Sequence, residues 1–123
     1  MLARSVVVLV DSSVWVDHFH RTDALLVELL EAGEVITHPL VIGELACGQL
    51  SARRSTLGLL HALPSATEAS AAEVLALIEH GRLWGHGLGV VDVHLLASAR
   101  LNDARLWTRD KVLAKAGARL RLM

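Results

Sequence analysis

Ser5-Val6-Val7-Val8-Leu9-Val10-Asp11 decides the reading of the fold: a short, mostly β-branched run without polar alternation, closed by an acid. Such a run predicts a strand from Ser5 to Val10 buried on both faces, the kind found inside parallel sheets. The segments that follow alternate in type. Ala24-Leu25-Leu26-Val27-Glu28-Leu29-Leu30-Glu31 has helical spacing, with Thr22 or Asp23 as its cap and Gly33 as its terminator. Val35-Ile36-Thr37 predicts a second brief strand, and Pro39 suits the first turn of a helix running towards Gly48. Ser51 to Ala62 predicts another helix, stopped before Pro64. Ser70-Ala71-Ala72-Glu73 is a capping box that opens a helix through about His80, with Gly81 ending it. Gly85-His86-Gly87-Leu88-Gly89 links it to Val90-Val91-Asp92, and a helix is expected from about Val93 to Leu101. A turn at Asn102-Asp103, a strand over Arg105-Leu106-Trp107-Thr108, a short helix from Lys111 to Ala116 and a last strand at Arg119-Leu120-Arg121-Leu122 complete the pattern. Alternating short strands and helices predict a parallel α/β sandwich, where ligands bind outside the carboxyl ends of the strands.

The totals narrow the class. At 123 residues the chain reads as one domain, 1–123, and at 53% hydrophobic with 3% aromatic its core must be aliphatic. No apolar stretch approaches the length of a membrane span, and the run before Asp11 is too short for a secretory signal core. The single cysteine, Cys47, excludes an internal disulfide, fits a reducing cytoplasm and reads as a small buried apolar residue. A net charge of −1 argues against wholesale polyanion binding, yet cations gather from Arg100 onward: Arg100, Arg105, Arg109, Lys111, Lys115, Arg119 and Arg121 against Asp103 and Asp110. Arg53-Arg54 adds a basic pair. The histidines show no zinc-binding spacing; His18 and His20 read as a surface pair and His94 as an exposed helical position. Trp15 and Trp107 belong to apolar segments, and Trp84 is the tryptophan best placed to be exposed.

Four acids carry the chemistry. Asp11 closes the first apolar run, Asp92 follows Gly89-Val90-Val91, and Asp110 stands just past Leu106-Trp107-Thr108. Glu44 interrupts Leu40-Val41-Ile42-Gly43, and its helical neighbours Leu40, Val41, Cys47 and Gly48 are apolar or small, which predicts a carboxylate facing the protein. Each of the three aspartates has a duller reading as a helix cap. Together, three strand-end acids and one core-facing helical acid form an oxygen set suited to Mg²⁺ or Mn²⁺, since an unpaired buried carboxylate is costly.

Val10-Asp11-Ser12-Ser13-Val14-Trp15, Pro39 with Glu44-Leu45, Val91-Asp92 followed by Leu95-Leu96-Ala97-Ser98-Ala99, and Leu106-Trp107-Thr108-Arg109-Asp110-Lys111 occur in this order across nearly the whole chain. In this the chain resembles the PIN domains, and more closely the VapC toxin ribonucleases of bacterial toxin–antitoxin pairs. The resemblance implies a three-layer α/β/α sandwich with a central parallel sheet and metal-dependent endonucleolytic cleavage of RNA. It implies Asp11, Glu44, Asp92 and Asp110 as the catalytic, metal-binding acids, Asp11 and Asp92 most directly, with Ser12 and Thr108 beside them. Arg53, Arg54, Arg109 and Lys111 are the candidate RNA phosphate contacts. It further implies a homodimer and a cognate VapB-type antitoxin whose tail covers the active-site groove. The chain departs from many members after Asp110, where Lys111-Val112-Leu113 replaces a second acid and a Phe, which bears on a second metal position.

Rival readings are a catalytically inactive PIN-fold binding module and a phosphoacceptor receiver-like domain. A receiver needs paired acids after the first strand and a Lys after the last; Asp11-Ser12-Ser13 offers no pair, and no Lys follows the expected last strand. A phosphatase of the Asp-x-Asp type fails because Ser13 holds the second position.

Overall fold

The computed structural model describes residues 6–123, so Ser5, the expected start of the first strand, lies outside them. The elements are β1 (Val8–Val10), α1 (Ser12–His20), α2 (Ala24–Glu31), β2 (Val35–Ile36), α3 (Pro39–Cys47), α4 (Arg53–Ala62), α5 (Ala71–Gly81), α6 (Val90–Leu101), β3 (Arg105–Trp107) and α7 (Lys111–Arg119). The strands form a parallel sheet in the order β2-β1-β3, with Leu9 opposite both Ile36 and Leu106. Val8, Leu9 and Val10 are all buried although successive side chains point to opposite faces, so both faces of the central strand are covered. α6 packs on β1 and β3 with α5 behind it, while α1 packs against α3 and α3 against α4. The core is aliphatic: Leu9, Val14, Leu26, Val41, Leu95, Leu96, Leu106 and Leu113 are fully buried, and Trp15 is the large aromatic among them.

Local signals explain most boundaries. The Asp23 side chain accepts from the Leu26 N–H at 3.0 Å to cap α2, and Gly33 takes the left-handed φ of +70° that stops it. Pro39 opens α3 as expected, and the buried His38 caps it by accepting the Leu40 N–H on Nδ1 at 3.0 Å. Burial holds the His38 pKa below its ordinary value, with the charge of Glu68 opposing this and that of His94 adding to it. Both halves of the Ser70–Glu73 capping box form.

The structure also corrects several expectations. α4 begins at Arg53 rather than Ser51, because Ala52 takes a left-handed φ of 47°. Gly81 is the last residue of α5, and Arg82 takes the left-handed conformation instead; a Cβ on Gly81 would meet Leu83 Cγ at 3.2 Å, so packing explains the glycine. α6 starts at Val90, not Val93, so Asp92 lies in the first turn of a helix rather than at the end of a strand. α7 runs to Arg119, and no strand follows it. Arg121 turns at φ 60°, and among the described residues the segment's one hydrogen bond to the sheet is the Leu122 carbonyl accepting from Leu106 N at 2.7 Å. Lys111 therefore does follow the last strand, which removes one of the two arguments against a receiver-like domain; the missing acid pair after β1 remains. Cys47 is exposed, because the end of α3 turns it outward. His18 is half-buried and accepts from Asp23 N at 3.0 Å, and His94 is likewise half-buried.

Candidate acidic site

The strand order reverses direction at β1, so the chains leaving β1 and β3 diverge and open a crevice at the carboxyl edge of the sheet. Asp11 follows β1 directly, and Thr108, Arg109 and Asp110 follow β3. An open groove of about 510 Å³ there is lined by Asp11, Ser12, Ser13, Glu44, Asp92 and Asp110, with Val16, Asp17 and Arg109 at its margin. The four acids singled out by sequence thus line one groove, delivered by β1, α3, α6 and α7.

Asp11 is the most buried of them, at 6% exposure. It occupies the N-cap position of α1 but makes no capping bond with its side chain. Its Oδ2 instead accepts from Ser13 Oγ and from Thr108 Oγ1, each at 2.7 Å. Both hydroxyls are committed on their other side, since Ser13 Oγ accepts from Arg109 N and Thr108 Oγ1 from Asp110 N, each at 3.0 Å. A hydroxyl has one proton, so both protons go to Asp11, and the α1 start is tied to the turn after β3.

Each remaining acid is held by one oxygen. Asp92 Oδ2 accepts from Gly89 N at 2.9 Å. Asp110 Oδ1 accepts from Val112 N and Leu113 N, which is the capping role considered for it. Glu44 Oε1 accepts from Ser12 Oγ at 3.2 Å. Ser12 therefore supports Glu44 rather than Asp11, while Ser13, which sequence reasoning did not single out, supports Asp11. The available signal was a hydroxyl two residues past a strand-end acid. On each of the four carboxylates the second oxygen has no hydrogen-bond partner among the described residues.

The electrostatics match this crowding. Burial first, then the charges of Asp11 and Asp92, push the Glu44 pKa up, with the Ser12 bond opposing them. Asp92 is also pushed up, by burial first and then by Asp110 and Asp11, against the Gly89 bond. Three helices, α1, α6 and α7, begin at the groove, and the positive ends of their dipoles offset part of the repulsion. Glu44 departs from its predicted setting: it is exposed to the groove, not turned into the core.

The donor set fits a hard divalent cation, being four carboxylates with a free oxygen each and no thiolate or imidazole among them. Among the described residues no group of three His, Cys, Asp or Glu side chains stands already arranged to hold an ion. The candidate RNA contacts divide. Arg109 is committed to Asp17 at 2.6 Å and to Asp23, and it lies over the Trp107 ring at 5.9 Å. Arg53 donates to the carbonyls of Ala46 at 2.7 Å and Gly48 at 3.3 Å, closing the end of α3. Arg54 and Lys111 are exposed.

Comparison with known proteins places these features in a family. The PIN domain family model matches residues 8–119. The chain is 51% identical over 112 residues to Ribonuclease VapC32 of Mycobacterium tuberculosis, in both strain CDC 1551 / Oshkosh and strain ATCC 25618 / H37Rv, covering 90% of each chain.

Proposed function

The chain belongs to the PIN-domain family, as a relative of the VapC-type toxin ribonucleases, and from that premise we propose that it is an endoribonuclease whose acidic groove is the active site. One observation carries the reading: Asp11, Glu44, Asp92 and Asp110 reach the same groove from four separate elements, each with an oxygen to spare. Mg²⁺ or Mn²⁺ would be held by Asp11 and Asp92, with Glu44 and Asp110 completing the site. Such an ion, when bound, lowers the pKa of a water and offsets the charge that develops on a cleaving phosphodiester. The protein's own part is positional. Ser13 and Thr108 fix Asp11 through its Oδ2, which leaves its Oδ1 available to a ligand in the groove. Three helix N-termini supply a field favouring the anionic phosphate. Glu44, on a longer and more exposed side chain, is suited to orient the attacking water and to take its proton, and burial raises its pKa from its ordinary value, which strengthens it as a base.

Within this proposal the protein is the toxin of a type II pair acting in the cytoplasm as a homodimer, and its cognate VapB-type antitoxin covers the groove. No described helix is long and apolar enough to cross a membrane. The deciding experiment is cleavage of RNA by purified wild type and by Asp11→Asn in Mn²⁺. Wild type is expected to cut, with Asp11→Asn at least about a hundredfold slower at unchanged fold. Equal, measurable rates in the two would remove Asp11 from the mechanism, and no cleavage by either would favour the reading as a binding module.

A further inference from the structure

Two segments lead away from the acids and converge on a second cleft. α7 starts at the Asp110 cap and runs to Arg119, while the loop from Leu83 ends at Gly89, whose N–H holds Asp92. Between them lies a cleft of about 200 Å³ with an apolar floor of Leu83, Leu88, Val112 and Ala116. Its rim is His86, Lys115 and Arg119, and no acid lines it. Val112 joins the two sites, since its side chain lines the cleft and its N–H bonds Asp110.

Charge along α7 is one-sided. Lys111, Lys115 and Arg119 stand at helical steps of four, on one stripe about 6 Å apart per step, and the helix contains no acid. Arg119 is held by donating to the Gly81 carbonyl at 2.8 Å and remains exposed. Trp84 sits in the same loop at 58% exposure. A row of cations, an apolar slot and an exposed indole are the parts from which proteins build platforms for single-stranded nucleic acid, phosphates on the cations and bases on the apolar faces. A duplex keeps its bases stacked away from such a slot.

We propose that this cleft is a subsite for single-stranded RNA flanking the scissile bond, its phosphates on Lys111, Lys115 and Arg119 and an unstacked base against the apolar floor and Trp84. The inference rests on the nuclease reading for its substrate, but its test does not. A dye-labelled single-stranded oligoribonucleotide is titrated in chelator, where no cleavage intervenes, and the same RNA is cleaved in Mn²⁺. Lys115→Glu and Trp84→Ala are each expected to weaken binding about tenfold, and to raise KM by a similar factor with a smaller change in kcat. Lys115→Ala should lower the slope of log affinity against log salt by about one. Binding unchanged in both variants would overturn the subsite and leave the cleft to a protein partner, while wild-type cleavage kept the nuclease reading intact. Binding weakened in both, by a wild type that cuts nothing, would support the subsite and remove the nuclease reading instead.

Discussion

Asp11 sits at 6% exposure and spends none of its side chain on capping the helix it begins. That separates it from the duller role available to any strand-end aspartate. Its position depends on two hydroxyl protons, and Thr108→Val removes one while also depriving Asp110 N of its acceptor. The expected loss is about 1–3 kcal/mol of stability in chemical unfolding, with Thr108→Ser recovering most of it. Asp92 tests the repulsion. Its pKa is raised in the fold, chiefly by burial. A carboxylate protonated more easily when folded adds stability below its unfolded pKa and loses it as pH rises through the folded value. Asp92→Asn keeps an oxygen for Gly89 N but removes the charge. In metal-free buffer its Tm should match wild type in acid and exceed it by about 2–4 °C at neutral pH. A gap of the same size at both ends of the pH range would show that charge is not the cause. Sequence made Asp11 legible as an unusual acid and Ser12 as a partner within the site, but not Ser13, which meets Asp11 while Ser12 meets Glu44. Which hydroxyl meets which carboxylate depends on the first helical turn, and there Ser12 and Ser13 point about 100° apart.

Helix starts marked by a side-chain cap or a proline were read correctly, because caps are local chemistry: Asp23, Pro39 and the Ser70–Glu73 box each stand where sequence placed them. The starts of α4 and α6, which lack such a signal in the expected place, do not. Ser70→Ala should cost about 1 kcal/mol in thermal unfolding and leave RNA cleavage unchanged, since α5 touches the groove nowhere. A loss of cleavage without a loss of stability would mean that α5 has a role in the site. Two elements were misread for one reason. Val90-Val91 and Arg119-Leu120-Arg121-Leu122 carry strand-like patterns of β-branching and alternation, but tertiary pairing decides between strand and helix for such short runs. The sheet has no place for either: the first opens α6, and the second turns at Arg121 with one hydrogen bond to β3.

At the scale of the molecule, the parallel α/β class followed from alternation, whereas the convergence of four acids did not. Residues 11, 44, 92 and 110 meet only because β1 is central and because α3 and α6 pack towards the crevice at its carboxyl end. Periodicity within a segment carries no such information; the cost of leaving four acids unpaired suggested convergence, and the family resemblance gave the same set. The most direct test is Mn²⁺ binding at neutral pH, followed by loss of the free-ion electron paramagnetic resonance signal, in wild type, Asp11→Asn and Asp92→Asn. If the four carboxylates form one cation site, wild type should remove Mn²⁺ stoichiometrically and both variants should bind at least about tenfold more weakly. Wild type should also release the ion as pH falls through the raised pKa values of Glu44 and Asp92. Equal Mn²⁺ affinity in all three proteins, or none in any, would contradict it.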